Sequence, residues 1–185
     1  MMKHLMSALL LGLLLSGSAL AESVSVLIKT NKGDITVALN QEKAPESVKN
    51  FLRYVDEGFY NGTVFHRVIE GFMIQGGGLT PDMSKKDTHE GITNEAKNGL
   101  KNVRGSIAMA RTRDPHSATS QFFINHRNND NLDYPSFDGW GYAVFGMVTE
   151  GMDVVDAIAN EQVTVKEGRE NVPVKNILIE SITRK

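Results

Sequence analysis

The chain has 185 residues, no cysteine, and 20 basic against 22 acidic residues for a net charge of −2. The missing cysteine excludes disulfides, thiol nucleophiles and thiolate metal sites. The near-neutral charge and the lack of any Lys/Arg run give no footing for nucleic acid.

The first 21 residues differ from the rest. "MMKH" is a short positive start, "LMSALLLGLLL" an apolar run too short to span a bilayer comfortably, and "SGSALA" ends in the small-x-small pattern Ala19-Leu20-Ala21. This reads as a secretory signal peptide, 1–21, cut between Ala21 and Glu22, with the periplasm as destination. Its removal takes away only Lys3 among the Lys and Arg residues. One domain, 22–185, remains, long enough for a proper core. No membrane association is expected after cleavage, and nothing points beyond a monomer.

Next, "SVSVLIKT" and "GDITVALN" alternate apolar residues around "TNKGD", a β-hairpin pattern. In "APESVKNFLRYVDEG", Val48, Phe51, Leu52 and Val55 recur at helical spacing, with Pro45 in the first turn and Gly58 as the stop. Strands follow at "TVFHRVI", "FMIQGG", "GSIAMA", "QFFIN" and "YAVFGMV", separated by polar loops. "GMDVVDAIANEQV" is predicted as a second helix. "VKNILIESITR" is the closing strand, its alternation shifting register between Ile179 and Ile182. Many short strands with two helices predict an all-β barrel or sandwich whose open ends the helices cover.

Strand parity locates candidate chemistry. In "QFFIN", Phe122 and Ile124 face the core, which leaves Gln121 and Phe123 on the wetter face. In "FMIQ", Met73 and Gln75 share a face. In "FHRVI", parity puts Arg67 with Phe65 and Ile69. Any one such residue is ordinary on a half-exposed sheet. Three strands together point to a shallow apolar groove equipped with one guanidinium and two amides. Other candidates are weaker. His66, His89, His116 and His126 lack metal-ligand spacing. "QGGG" lacks the lysine and helix of a phosphate loop, and is expected to let another backbone approach. No metal and no cofactor is expected.

At this point the blocks "FHRVIEGFMIQGG", "NGLKNVRGSIAMAR", "SATSQFFIN" and "GYAVFGMVTEGMDVVD" resemble, in order, the signature blocks of cyclophilin-type peptidyl-prolyl cis–trans isomerases in their bacterial form. The resemblance runs from "SVSVLIKTNKGD" to "ILIES". It implies a closed eight-stranded antiparallel barrel capped by two α-helices, with a peptide groove on its outer face. It implies that Arg67 is the catalytic residue, acting on X-Pro bonds of unfolded or partly folded proteins. Phe72, Met73, Gln75, Phe123 and Leu132 would form the proline pocket and its rim. Ala110, Arg111 and Gln121 would hold the residues before proline. For Phe72 to join Met73, the chain must bend at Gly71. Two positions depart from many relatives. Asn131 stands where they carry Trp, which implies weak cyclosporin binding. Tyr142 stands where they carry His, which keeps a ring in the pocket. Two other readings fit the groove: a non-catalytic peptide-binding chaperone, and a structural barrel that docks a partner.

Overall fold

The computed structural model describes residues 24–185. The expected signal peptide and its cleavage site lie outside the described residues. Ten strands form: β1 (Ser25–Thr30), β2 (Gly33–Leu39), β3 (Thr63–Ile69), β4 (Met73–Gly76), β5 (Ser106–Met109), β6 (Phe122–Asn125), β7 (Val144–Glu150), β8 (Val163–Lys166), β9 (Arg169–Pro173) and β10 (Leu178–Arg184). Two helices accompany them, α1 (Pro45–Asp56) and α2 (Met152–Ala159). Eight strands close into an antiparallel barrel in the order β1–β10–β3–β4–β6–β5–β7–β2, and closure leaves no free edge.

Neighbours β2 and β7 run antiparallel, α1 follows the end of β2 and α2 the end of β7. The helices therefore sit at opposite ends of the barrel. Pro45 begins α1, and the first turn is capped from a distance. The Glu95 carboxylate accepts from the backbone N–H groups of Glu46 and Ser47 at 3.0 and 2.8 Å. The buried face of α1 brings Phe51 against Phe122 and Phe145, at ring separations of 5.6 and 5.2 Å. Val155 and Ile158 of α2 complete the same core.

Two expectations need correction. Helix α2 stops at Ala159, not Val163; Asn160 Nδ2 donates back to the Asp156 carbonyl at 2.8 Å, which closes the last turn. Val163 instead opens β8, and residues 163–173 form a hairpin outside the barrel. Its two-residue turn, Glu167-Gly168, has φ of 49° and 70°, both in the left-handed region that such a tight turn requires. The closing strand starts at Leu178 rather than Val174. Its expected register change is present: Thr30 pairs with Ile179 but Lys29 with Ser181, so both Ile179 and Ile182 are buried.

Candidate active site

Strand β6 divides the molecule. Phe122 and Ile124 lie in the barrel interior, while Phe123 belongs to a separate apolar cluster outside. That cluster holds Met73, Ala108, Phe123, Leu132 and Val144, with Phe72 and Tyr142 packed at its rim. Cross-strand register explains why these residues meet. Gln75 pairs with Phe123, Phe123 with Ala108, and Ala108 with Val144, a row across four strands on one face. Arg67 extends the row, because it pairs with Gln75.

The row reaches Arg67 through a bulge. Phe65 pairs with Gly76 and Arg67 with Gln75, leaving His66 as the extra residue of β3. The bulge breaks the parity expected from the sequence. Phe65 turns inward to the barrel core, whereas Arg67 and Ile69 remain on the outer face. Gly76 makes this possible: a Cβ there would lie 3.0 Å from the Phe65 ring. Gly77 and Gly78 likewise yield space to Phe122 and Gln121, at 2.7 and 2.5 Å. The "QGGG" run thus seats side chains at all three glycines, and at Gly76 it also lets another backbone approach, as expected: a Cβ there would lie 3.0 Å from the Val64 carbonyl oxygen.

Phe72 precedes β4, beyond a turn in which Gly71 has φ 66°. The bend carries Phe72 to the outer cluster beside Met73. Two groups hold the turn. His126 Nδ1 accepts from the Gly71 N–H at 2.9 Å, and Asn129 Nδ2 donates to the Phe72 carbonyl at 2.9 Å. With Nδ1 accepting, Nε2 is the ring's donor, and it lies 3.0 Å from Asp156 on α2. Arg104 also grips Asp156 with two 2.8 Å hydrogen bonds, which hold that carboxyl below the usual carboxylate range.

Behind the cluster is a buried amide network. Asn125 Nδ2 donates to Asn102 Oδ1 and Ser106 Oγ at 3.1 and 2.9 Å, and Asn129 Nδ2 donates to Asn125 Oδ1 at 2.7 Å. The Asn102 N–H donates to Asp133 at 2.7 Å. This network fixes the loop after β6, and with it Leu132. The sequence reads "HRNNDNLDYPSFDGWG" only as a loop. The signal it held was the number of amides directly after an apolar strand.

Ala110, Arg111 and Gln121 border a small cavity of about 130 Å³ with Gln75, Thr112 and Thr119. Gln75 Nε2 donates to Gln121 Oε1 at 3.0 Å, tying the two amides together. The Arg111 side chain is only 2% exposed and turns toward the loop before β7. Its Nε donates to the Gly141 carbonyl at 3.0 Å, and its Nη2 donates to Asp138 at 2.6 Å. Its guanidinium lies 4.5 Å from the Tyr142 ring centre. Tyr142 in turn meets Phe123 edge-on, with ring centres 5.7 Å apart. Arg111 thus orients the ring that borders Phe123. Asn131 is exposed, next to buried Leu132. Arg67 is half-buried and enters no ion pair among the described residues. Among those residues no group of three His, Cys, Asp or Glu gathers as a metal site would require.

Comparison with known proteins places this arrangement. The family model for cyclophilin type peptidyl-prolyl cis-trans isomerases matches residues 25–184. Peptidyl-prolyl cis-trans isomerase B of Escherichia coli is 56% identical over 160 residues, covering 85% of this chain and 98% of its own. Peptidyl-prolyl cis-trans isomerase A of Dickeya dadantii is 54% identical over 163 residues, covering 88% and 85%. Among solved structures, a cyclophilin type isomerase of Cryptosporidium parvum aligns with a TM-score of 0.74 at 30% identity, over 88% of this chain and 98% of that one. The same protein was also solved in the presence of the dipeptide Ala-Pro, with a TM-score of 0.73. The barrel, its two helices and these matches together assign the chain: it belongs to the cyclophilin-type peptidyl-prolyl cis–trans isomerases.

Proposed function

We propose that Arg67 is the catalytic residue of this isomerase and that its substrates are X-Pro bonds in proteins exported to the periplasm. The supporting observation is a permanently charged guanidinium with no ion-pair partner among the described residues, in register with Gln75 and Phe123 at the border of an apolar cluster. A charge kept free of partners beside a groove is available to a ligand.

Rotation of a prolyl bond breaks amide resonance, against a barrier of about 20 kcal/mol. No covalent step is needed. In the twisted state the nitrogen regains a lone pair and the carbonyl loses its conjugation. A donor aimed at that nitrogen favours the twisted state over the planar one, which is the condition for catalysis. Arg67 stays protonated, and its fork can serve the proline carbonyl as well. Phe72, Met73, Phe123 and Leu132 would hold the ring, while Gln75 and the backbone at Ala110 would hold the chain. The crystal structure of a relative in the presence of Ala-Pro supports the reading that this chain binds proline peptides.

One such donor is worth roughly 3–4 kcal/mol, about 100- to 1000-fold in rate. In Arg67→Ala, with its fold verified, turnover of an X-Pro peptide in a protease-coupled assay should drop by that factor. Arg67→Lys should also be poor, since a point charge lacks the fork. A purely peptide-holding chaperone would instead keep its activity in Arg67→Ala and lose client binding in Phe123→Ala. We also propose a monomer that binds cyclosporin weakly, because exposed Asn131 gives no indole there. The export assignment rests on residues 1–21, and N-terminal sequencing of protein from the periplasmic fraction should begin at Glu22. A cytoplasmic product that keeps Met1 would remove it.

A further inference from the structure

His66, the extra residue of the β3 bulge, is 7% exposed, and its Nδ1 has no hydrogen-bond partner. Burial pushes the ring down to about 4, and Arg169 and Arg67 add to that direction. The imidazole is therefore neutral at pH 7 and keeps an unused polar atom, a state that native interiors rarely leave unexplained. His66 lies in the wall of a cavity of about 490 Å³, together with Arg67, Lys85 and Arg169. Gln75 and Gln121 border it too, so it adjoins the groove described above, across the amide pair from the smaller cavity.

The charges of this cavity are unbalanced. Arg67, Lys85 and Arg169 face a single acid, Glu170. None of these four enters an ion pair among the described residues. Arg169 and Glu170 belong to the β8–β9 hairpin, whose strands pair only with each other and do not help to close the barrel. Val172 of that hairpin packs with Val64 and Leu79, which fixes it against the β3 side. The hairpin thus supplies a charged wall beside Arg67. Positive charge in a concave wall focuses potential into the space it encloses.

We propose that this cavity is a second substrate subsite that takes the carboxylate of an Asp or Glu flanking the prolyl bond. Lys85 and Arg169 attract the carboxylate, and His66 Nδ1 is available to a polar group of the same peptide. The subsite rests on the reading of Arg67 as catalytic, since it selects peptides for that residue.

The test is kcat/KM on a short Ala-Pro peptide set, with Glu, Gln or Lys placed singly at the two positions on either side of the proline. At one of these positions Glu should exceed Gln about fivefold and Lys about tenfold at low salt, and the preference should shrink in about 0.5 M salt. In Lys85→Glu and in Arg169→Glu, the Glu/Gln ratio taken within each variant should fall to one or below. Equal rates for Glu and Gln at every position, or a Glu preference that survives both reversals, would overturn the subsite. Loss of turnover in Arg67→Ala on the Gln peptides, in the same experiment, separates that failure from a failure of the catalytic assignment. Retained turnover there would sink the assignment instead.

Discussion

Phe122 and Phe123 are the same residue type, adjacent in one strand and both buried, yet they belong to different regions. Phe122 stands among Phe51, Tyr60 and Phe65 inside the barrel, meeting each ring edge-on. Phe123 stands outside the barrel wall in a thin cluster bordered by Tyr142 and, along its row, by Gln75 and Arg67. The outer cluster keeps the Arg67 guanidinium without an ion pair among the described residues at its border. Burial alone does not distinguish core from site; the site is marked by Arg67, a charged group at its border that enters no ion pair among the described residues.

The largest test of this contrast is to cut each ring. Phe122→Ala should destabilise the fold by about 3–5 kcal/mol, read from chemical unfolding, because the closed interior cannot collapse to fill the void. Phe123→Ala should lose less stability, while kcat/KM on an X-Pro peptide falls at least about tenfold. Equal stability losses with unchanged turnover in Phe123→Ala would erase the distinction.

The border also has its own pH dependence. His66 titrates near 4 in the folded protein against about 6.5 when unfolded. Between these values the unfolded chain takes up a proton that the folded chain refuses. Stability is therefore fully present above about pH 6.5 and falls as pH drops through the window, by up to about 3 kcal/mol. Unfolding midpoints at pH 7 and pH 4.5 should differ clearly in the native sequence and much less in His66→Gln.

Smaller effects should come from the residues that position the rim. Asn129→Ala removes the donor to the Phe72 carbonyl and strands buried Asn125 Oδ1, at a cost of about 1–3 kcal/mol. Turnover should weaken with it through a misplaced Phe72, whereas an unchanged kcat/KM would confine Asn129 to stability. Smallest is the Arg104–Asp156 pair, well exposed on both sides. Its removal by Arg104→Ala should change stability by less than about 1 kcal/mol at neutral pH.

Much of this contrast was legible in the sequence. Alternation in "QFFIN" and "FMIQ" separates Phe122 from Phe123 and Ile74 from Met73, because two-residue periodicity survives wherever the ladder is regular. It fails at Phe65, where the His66 bulge inserts a residue, and a register shift leaves no trace in composition. The β8–β9 hairpin escaped notice for another reason. Val163 and Val165 are exposed, so no buried face imposes a pattern, and its turn is Glu-Gly rather than Asn-Gly. Arg111 matched a motif position, but only coordinates reveal that its guanidinium is committed to Asp138 and Gly141.

The most direct measurement is cis–trans exchange of an Ala-Pro peptide followed by NMR, with peptide affinity measured on the same samples of native protein and folded Arg67→Ala. If Arg67 acts on the twisted state, exchange should fall about 100- to 1000-fold while affinity changes far less. Exchange that persists near the native rate in the folded alanine variant would contradict Arg67 as the catalytic residue.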